Sequence, residues 1–208
     1  MYKPLKQFVV EYEDGDDVGK ILAWISMFPF ILLFGTISVT YVKRDFKSAV
    51  FLAGLGVSLI FNKCLKELIQ QPRPDSEHTF KNTNYGMPSD HTQFMMFFTV
   101  YYVLFCIHEK RNGCENEKST KKEDKVSEID NFELIIKYLE CLGLCGISAI
   151  VAFSRVYLKY HTIEQVLAGG SIGALLALVY FSVVSTQFVQ DIIITVKTSS
   201  FGRKLKLE

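Results

Sequence analysis

The chain has 208 residues, a formal net charge of +1 and 49% hydrophobic residues, with 17 Phe and 10 Tyr. That length suits one domain, 1–208. A near-neutral chain with no basic stripe interleaved with aromatics excludes nucleic acid as an expected partner, and Cys64, Cys106, Cys114, Cys141 and Cys145 lack the spacing of a metal site or disulfide framework.

In chain order, residues 1–20 are polar and acid-rich (EYEDGDD), unlike the basic start of a secretory signal. Ile21–Val42 then runs without a charge, long enough to meet the roughly 20 apolar residues a spanning helix needs. Ser48–Asn62 is a shorter uncharged block whose small residues suit helix contact in lipid. Thr92–Ile107 is a third block. Phe132–Phe153 is a fourth, interrupted by Glu133, Lys137 and Glu140, of which Lys137 and Glu140 are spaced to pair. Ile163–Val184 is a fifth, and a weaker apolar run continues to Val196. The predicted architecture is an all-α, polytopic membrane bundle with about five spanning helices. Residues 108–131 mix charges with few apolar residues and predict a solvated, flexible loop.

Lys and Arg gather on the cytosolic side of short membrane loops. Lys43, Arg44 and Lys47, the 108–131 loop, and the tail at 197–208 with Lys204 and Lys206 all fall on one side under this count, and that side is assigned to the cytosol. The N-terminal segment, the Lys63–Asp90 connection and the turn near His161 take the opposite face.

Three short patterns meet on that face. KELIQQPRP holds Lys66 and Arg73, the arginine between two prolines that stiffen its backbone. YGMPSDH places Ser89, Asp90 and His91 at the start of the third span, where free helix amides favour an anion. SRVYLKYH adds Arg155 and His161. Spread cations, a hydroxyl and helix-end amides suit a phosphoryl group, and two histidines suit attack at phosphorus and protonation of a leaving oxygen. One interfacial Lys or Arg taken singly would only snorkel, and a Ser or Asp before a helix would only cap it. Their convergence on one face outweighs that reading.

The ordered set Lys66–Arg73–Pro74, Pro88–Ser89–His91 and Ser154–Arg155–His161 resembles the three-part signature of the type 2 phosphatidate phosphatase superfamily, which includes vanadium haloperoxidases and glucose-6-phosphatase. VEYEDGD, IQQPRP, YGMPSDHTQFM and SRVYLKYHT followed by Gln165 are similar to its dolichyldiphosphatase branch. The resemblance implies an acid-phosphatase/haloperoxidase-like core, His161 as nucleophile, His91 as acid and then base, and Lys66, Arg73, Arg155 and Ser89 as phosphate ligands. It implies no metal or cofactor. The implied substrate is a polyisoprenoid diphosphate, dolichyl diphosphate, cleaved at the lumenal face of the endoplasmic reticulum membrane.

Two positions depart from the wider pattern. Asp90 stands where the superfamily commonly has Gly; it is expected to cap the helix, face Lys81 or the lumen, or else orient His91 or water. Gln165 stands where the superfamily usually has an orienting Asp, with Glu164 one residue earlier; on a helix both positions lie on the side of His161. Similarity to the dolichol branch selects Gln165, so that Gln165→Asp is expected to stay active and Glu164→Gln to change little. His78 and His108 are expected to be ordinary surface residues, and Tyr85, Tyr157 and Tyr160 to form an interfacial aromatic belt.

Overall fold

The computed structural model describes residues 2–5, 10–74, 85–119 and 127–186. His78, Lys81, the run beyond Thr186 and the tail at 197–208 lie outside them.

Tyr2–Leu5 (β1) and Val10–Glu13 (β2) pair antiparallel, so the acid-rich start opens on a small pair of strands, and the other elements among the described residues are helices. Asp16 caps α1 (Asp17–Ile25) by accepting the Gly19 amide at 2.9 Å. The first apolar block is one span in two pieces. Pro29, which lacks an N–H, sits at the opening of α2 (Phe28–Lys43), so the backbone ladder is interrupted at Ser26–Met27. Arg44 ends α2 in the left-handed conformation, and Asp45 caps α3 (Phe46–Ile69) through the Ser48 amide. Next come α4 (Asp90–Ser119), α5 (Ser127–Tyr157) and α6 (Ile163–Val184). Helix therefore covers both flanks of the expected 108–131 loop, where Glu, Lys and Arg favour continued helix beyond the apolar segments; residues 120–126 lie outside the described set.

Asp17–Lys43, Phe46–Ile69, Leu134–Tyr157 and Ile163–Val184 have the length and hydropathy to cross a bilayer. α4 differs in kind. It touches α2, α3, α5 and α6, and it buries Phe94, Met95, Phe97, Phe98 and Tyr101 together with Thr92, Gln93 and Thr99. A helix surrounded by protein can carry polar groups that a lipid-facing helix cannot, provided each finds a partner. Gln93 donates to the Ser58 carbonyl at 2.9 Å and accepts from Asn62 at 2.8 Å, tying α4 to α3. The Thr99 and Ser148 hydroxyls meet at 2.8 Å, tying α4 to α5. Around this core Phe51 stacks on Tyr101 at 4.7 Å.

The glycines of GGSIG set the α4–α6 approach. A Cβ on Gly169 would lie 2.7 Å from the Ser89 carbonyl oxygen, and one on Gly173 would strike the backbone of Gln93. Only bare backbone lets the start of α4 lie against α6. Lys137 and Glu140 do not pair with each other. Each reaches α4, Lys137 to Glu109 at 3.4 Å and Glu140 to the Tyr102 hydroxyl at 2.5 Å, because the facing helix offers closer partners than the next turn.

The end of α3, the start of α4, the end of α5 and the start of α6 share one end of the bundle. The N-terminal hairpin joins them there: the Glu11 amide donates to the Tyr160 hydroxyl at 2.7 Å, and Tyr157 reaches Asp16 at 3.3 Å. The opposite end carries the Lys47–Glu109 pair at 3.0 Å.

Candidate active site

The five-residue α5–α6 turn creates the site. The Arg155 carbonyl accepts both the Tyr160 amide at 3.0 Å and the His161 amide at 3.1 Å, closing α5 with Lys159 at φ 57. That reversal drives His161 inward, to 2% exposure. Thr162 then caps α6 by a capping box with Gln165: the Gln165 amide N–H donates to Thr162 Oγ1, and the Thr162 amide donates to Gln165 Oε1, each at 3.3 Å.

Hydrogen bonds fix the protonation of the His161 ring. Nδ1 lies 2.9 Å from the Gly86 carbonyl oxygen and 3.2 Å from Gln165 Oε1. The first is an acceptor and nothing else, so Nδ1 carries the proton and Nε2 its lone pair. The Gln165 amide is oriented in turn, because Nε2 donates to the Pro72 carbonyl at 2.8 Å and to Gln71 Oε1 at 3.2 Å. His161 Nε2 is buried without a hydrogen-bond partner. Burial, and then the charges of Arg155, Arg73 and Lys66, hold this imidazole well below its ordinary pKa, only partly opposed by Gln165. The ring is neutral at pH 7, with an unshared pair beside concentrated positive charge.

Those cations are held by separate means. The Arg155 guanidinium lies 4.2 Å above the Tyr160 ring, is 4% exposed, and has Nε and Nη1 buried without hydrogen-bond partners. Arg73 donates from Nη1 to the Tyr160 carbonyl at 3.4 Å. Lys66, 6% exposed, meets Asp90 Oδ2 at 2.6 Å. Ser89 is fully buried just before α4; its amide donates to the Gln165 carbonyl at 3.1 Å and its hydroxyl meets Thr92 at 3.2 Å. His91, one residue into α4 from Asp90, packs edge-on against Phe30 at 5.7 Å. Orphaned guanidinium donors and an orphaned imidazole nitrogen, both buried, fit a tetrahedral oxyanion with phosphorus in reach of Nε2.

All three sequence patterns thus meet at one end of the bundle. Glu164 is exposed and Gln165 is fully buried against His161. Among the described residues the Asp90 carboxylate is the counter-ion of Lys66; Lys81 lies outside them. The far side of the Gln165 amide faces two oxygen acceptors and a carboxylate has no proton to give them, which argues against the expectation that Gln165→Asp stays active. Sequence reading missed Gly86, whose carbonyl is the nearer partner of His161 and whose Cβ would lie 2.6 Å from the Gln165 amide. It also missed Tyr160, whose ring lies under Arg155 and whose carbonyl accepts from Arg73, assigning it to an aromatic belt. The available signal was its place beside His161 within the motif.

Residues 47–188 match the PAP2 superfamily. The chain belongs to that superfamily. It is a membrane hydrolase, and the PAP2 segment takes in every site residue from Lys66 to Gln165. Among PAP2 relatives it is 36% identical to human dolichyldiphosphatase 1, over 86% of this chain and 71% of that protein. It is 32% identical to the dolichyldiphosphatase of Saccharomyces cerevisiae, over 87% of this chain and 70% of that one. The Arabidopsis thaliana lipid phosphate phosphatase gamma is 32% identical over 85% of this chain and 71% of its own length. The fold is shared with the transmembrane PAP2 type phosphatidylglycerolphosphate phosphatase of Bacillus subtilis, at TM-score 0.62 and 20% identity, covering 83% of this chain and 80% of that one.

Proposed function

We propose that the chain hydrolyses dolichyl diphosphate to dolichyl monophosphate and phosphate, without a metal, at the lumenal face of the endoplasmic reticulum, returning the lipid carrier released by protein N-glycosylation. The activity is supported by relatives named dolichyldiphosphatase along most of the chain. The mechanism is supported chiefly by His161: Nδ1 is committed to Gly86 and Gln165, while Nε2 stands buried and unshared beside orphaned Arg155 donors.

In this reading the Nε2 lone pair attacks the terminal phosphorus. The bond from that phosphorus to the bridging oxygen breaks, its electrons leave with dolichyl monophosphate, and His91 supplies the proton. His91 then takes a proton from water, whose oxygen attacks the phosphohistidine; the P–N bond breaks, and phosphate and neutral His161 are released. Arg73, Arg155, Lys66 and the Ser89 hydroxyl carry the charge that gathers on the equatorial oxygens.

The test is purified protein in detergent, assayed on dolichyl diphosphate, farnesyl diphosphate and phosphatidate with EDTA present. Fastest turnover of dolichyl diphosphate, unaffected by EDTA and lost in His161→Ala, is expected. Preference for phosphatidate would overturn the substrate, and EDTA sensitivity the mechanism.

A further inference from the structure

One cation in the phosphate site is held unlike the others. Lys66 and Arg155 are both buried cations, yet Arg155 keeps orphaned donors and Lys66 does not stand alone: Asp90 Oδ2 is 2.6 Å from its ammonium. The lysine side chain is 8% exposed and the aspartate 39%, so the pair has a buried cation and an anion at the mouth. Asp90 occupies the first turn of α4, next to Ser89, where the opening amides and the helix dipole already favour an anion. Arg73 and Arg155 also lie within electrostatic reach of this carboxylate. In charge and in cationic partners the Asp90 carboxylate resembles a phosphate oxygen.

A buried ammonium without a counter-ion is costly. Asp90 meets that need in the resting enzyme, but a phosphoryl oxygen needs the same Lys66 donor. We propose that Asp90 is a built-in competitor for the phosphate site: its carboxylate holds Lys66 at rest, yields it to substrate, and retakes it as product phosphate leaves. The inference rests on the anion-site reading of Lys66 given above and deepens it. A site of two arginines and a lysine with no competing carboxylate would hold free phosphate tightly and recover slowly; Asp90 weakens every phosphate ligand alike and favours product release. Its half-exposed position suits the task, since the carboxylate can swing into water when displaced.

The opposing possibility is that Asp90 positions Lys66 for phosphate, and the two ideas predict opposite signs. Binding of inorganic phosphate to the purified full chain in detergent is measured by calorimetry, at low and high salt, for wild type, Asp90→Ser and Asp90→Asn; size-exclusion profiles verify folding. Tighter phosphate in both variants, by roughly five- to tenfold as for removal of a partly buried competing pair, is expected. The gain should survive high salt, because direct competition at contact distance is screened little. Unchanged or weaker phosphate binding, or a gain that vanishes at high salt, overturns the proposal. Calorimetry needs no turnover, so the outcomes separate: a protein that fails to cleave dolichyl diphosphate yet shows the Asp90 effect loses its proposed substrate and keeps this inference.

Discussion

Replacing Gln165 probes the nucleophile's support most directly. Its amide accepts from His161 and Thr162 on one side and donates to the Pro72 carbonyl and Gln71 on the other, wholly buried. Gln165→Glu preserves the shape and the accepting oxygen but replaces the donating nitrogen with an oxygen that faces two oxygens. A net hydrogen bond contributes about 1 kcal/mol and an orphaned buried acceptor costs about 1–3 kcal/mol. Loss of the donations at 2.8 Å and 3.2 Å therefore costs about 2–4 kcal/mol in total. Expressed wholly in kcat/KM, that is a drop of roughly 30- to 700-fold. Gln165→Asp, one methylene shorter, also loses contact with the ring and should fall at least as far. The carboxyl introduced by Gln165→Glu regains a donor once protonated, so the ratio of that variant's activity to wild type should rise as pH falls from about 8 to about 6. The assay is kcat/KM on dolichyl diphosphate across that range, with Glu164→Gln as an exposed control expected within about twofold of wild type. Full activity of Gln165→Glu with a flat pH ratio would refute the claim that donation to Pro72 and Gln71 supports the nucleophile.

Three further outcomes follow from the site. His161→Ala should abolish hydrolysis while His91→Ala impairs it less, because the departing phosphate monoester, with a second pKa of about 6, leaves with little help from an acid; equal losses in kcat on dolichyl diphosphate would contradict that division. Arg155→Lys should lower kcat/KM by about 10- to 100-fold, since an ammonium can neither stack broadly on Tyr160 nor present the forked donors. Burial and neighbouring cations depress the pKa of His161 in the folded state, so the unfolded chain binds that proton first as pH falls. Its contribution to stability is present above about pH 6.5 and is lost below it, and thermal denaturation should show wild type losing more stability than His161→Gln between about pH 7.5 and 5.5.

The bundle was legible because lipid imposes a coarse rule: a span must be long and apolar. The block Ile21–Val42 declared a span, and only its broken backbone at Ser26–Met27 went unforeseen, although Pro29 was the local cause. α4 shows the limit of that rule, since a helix packed among others can hold Gln93 and Thr99 and still be central. The acidic start concealed a hairpin, because Tyr2–Leu5 and Val10–Glu13 are strands of four residues each, too short to carry a periodic signature.

The chemical inventory at the site was fixed by sequence: two histidines, two arginines, a lysine and a buried serine, ordered so that helices alternating in direction carry them to one end. Their state was decided by tertiary structure. Spacing on a helix allowed either Glu164 or Gln165 to face His161, and only packing buries one and exposes the other. Nothing local to YGMPSDH reveals that the Gly86 carbonyl sets the His161 tautomer, or that Asp90 answers Lys66 across the start of α4. The reason is physical: burial, pKa and hydrogen-bond partnership belong to pairs of groups far apart in the chain, whereas helix length and the order of charges belong to the chain itself.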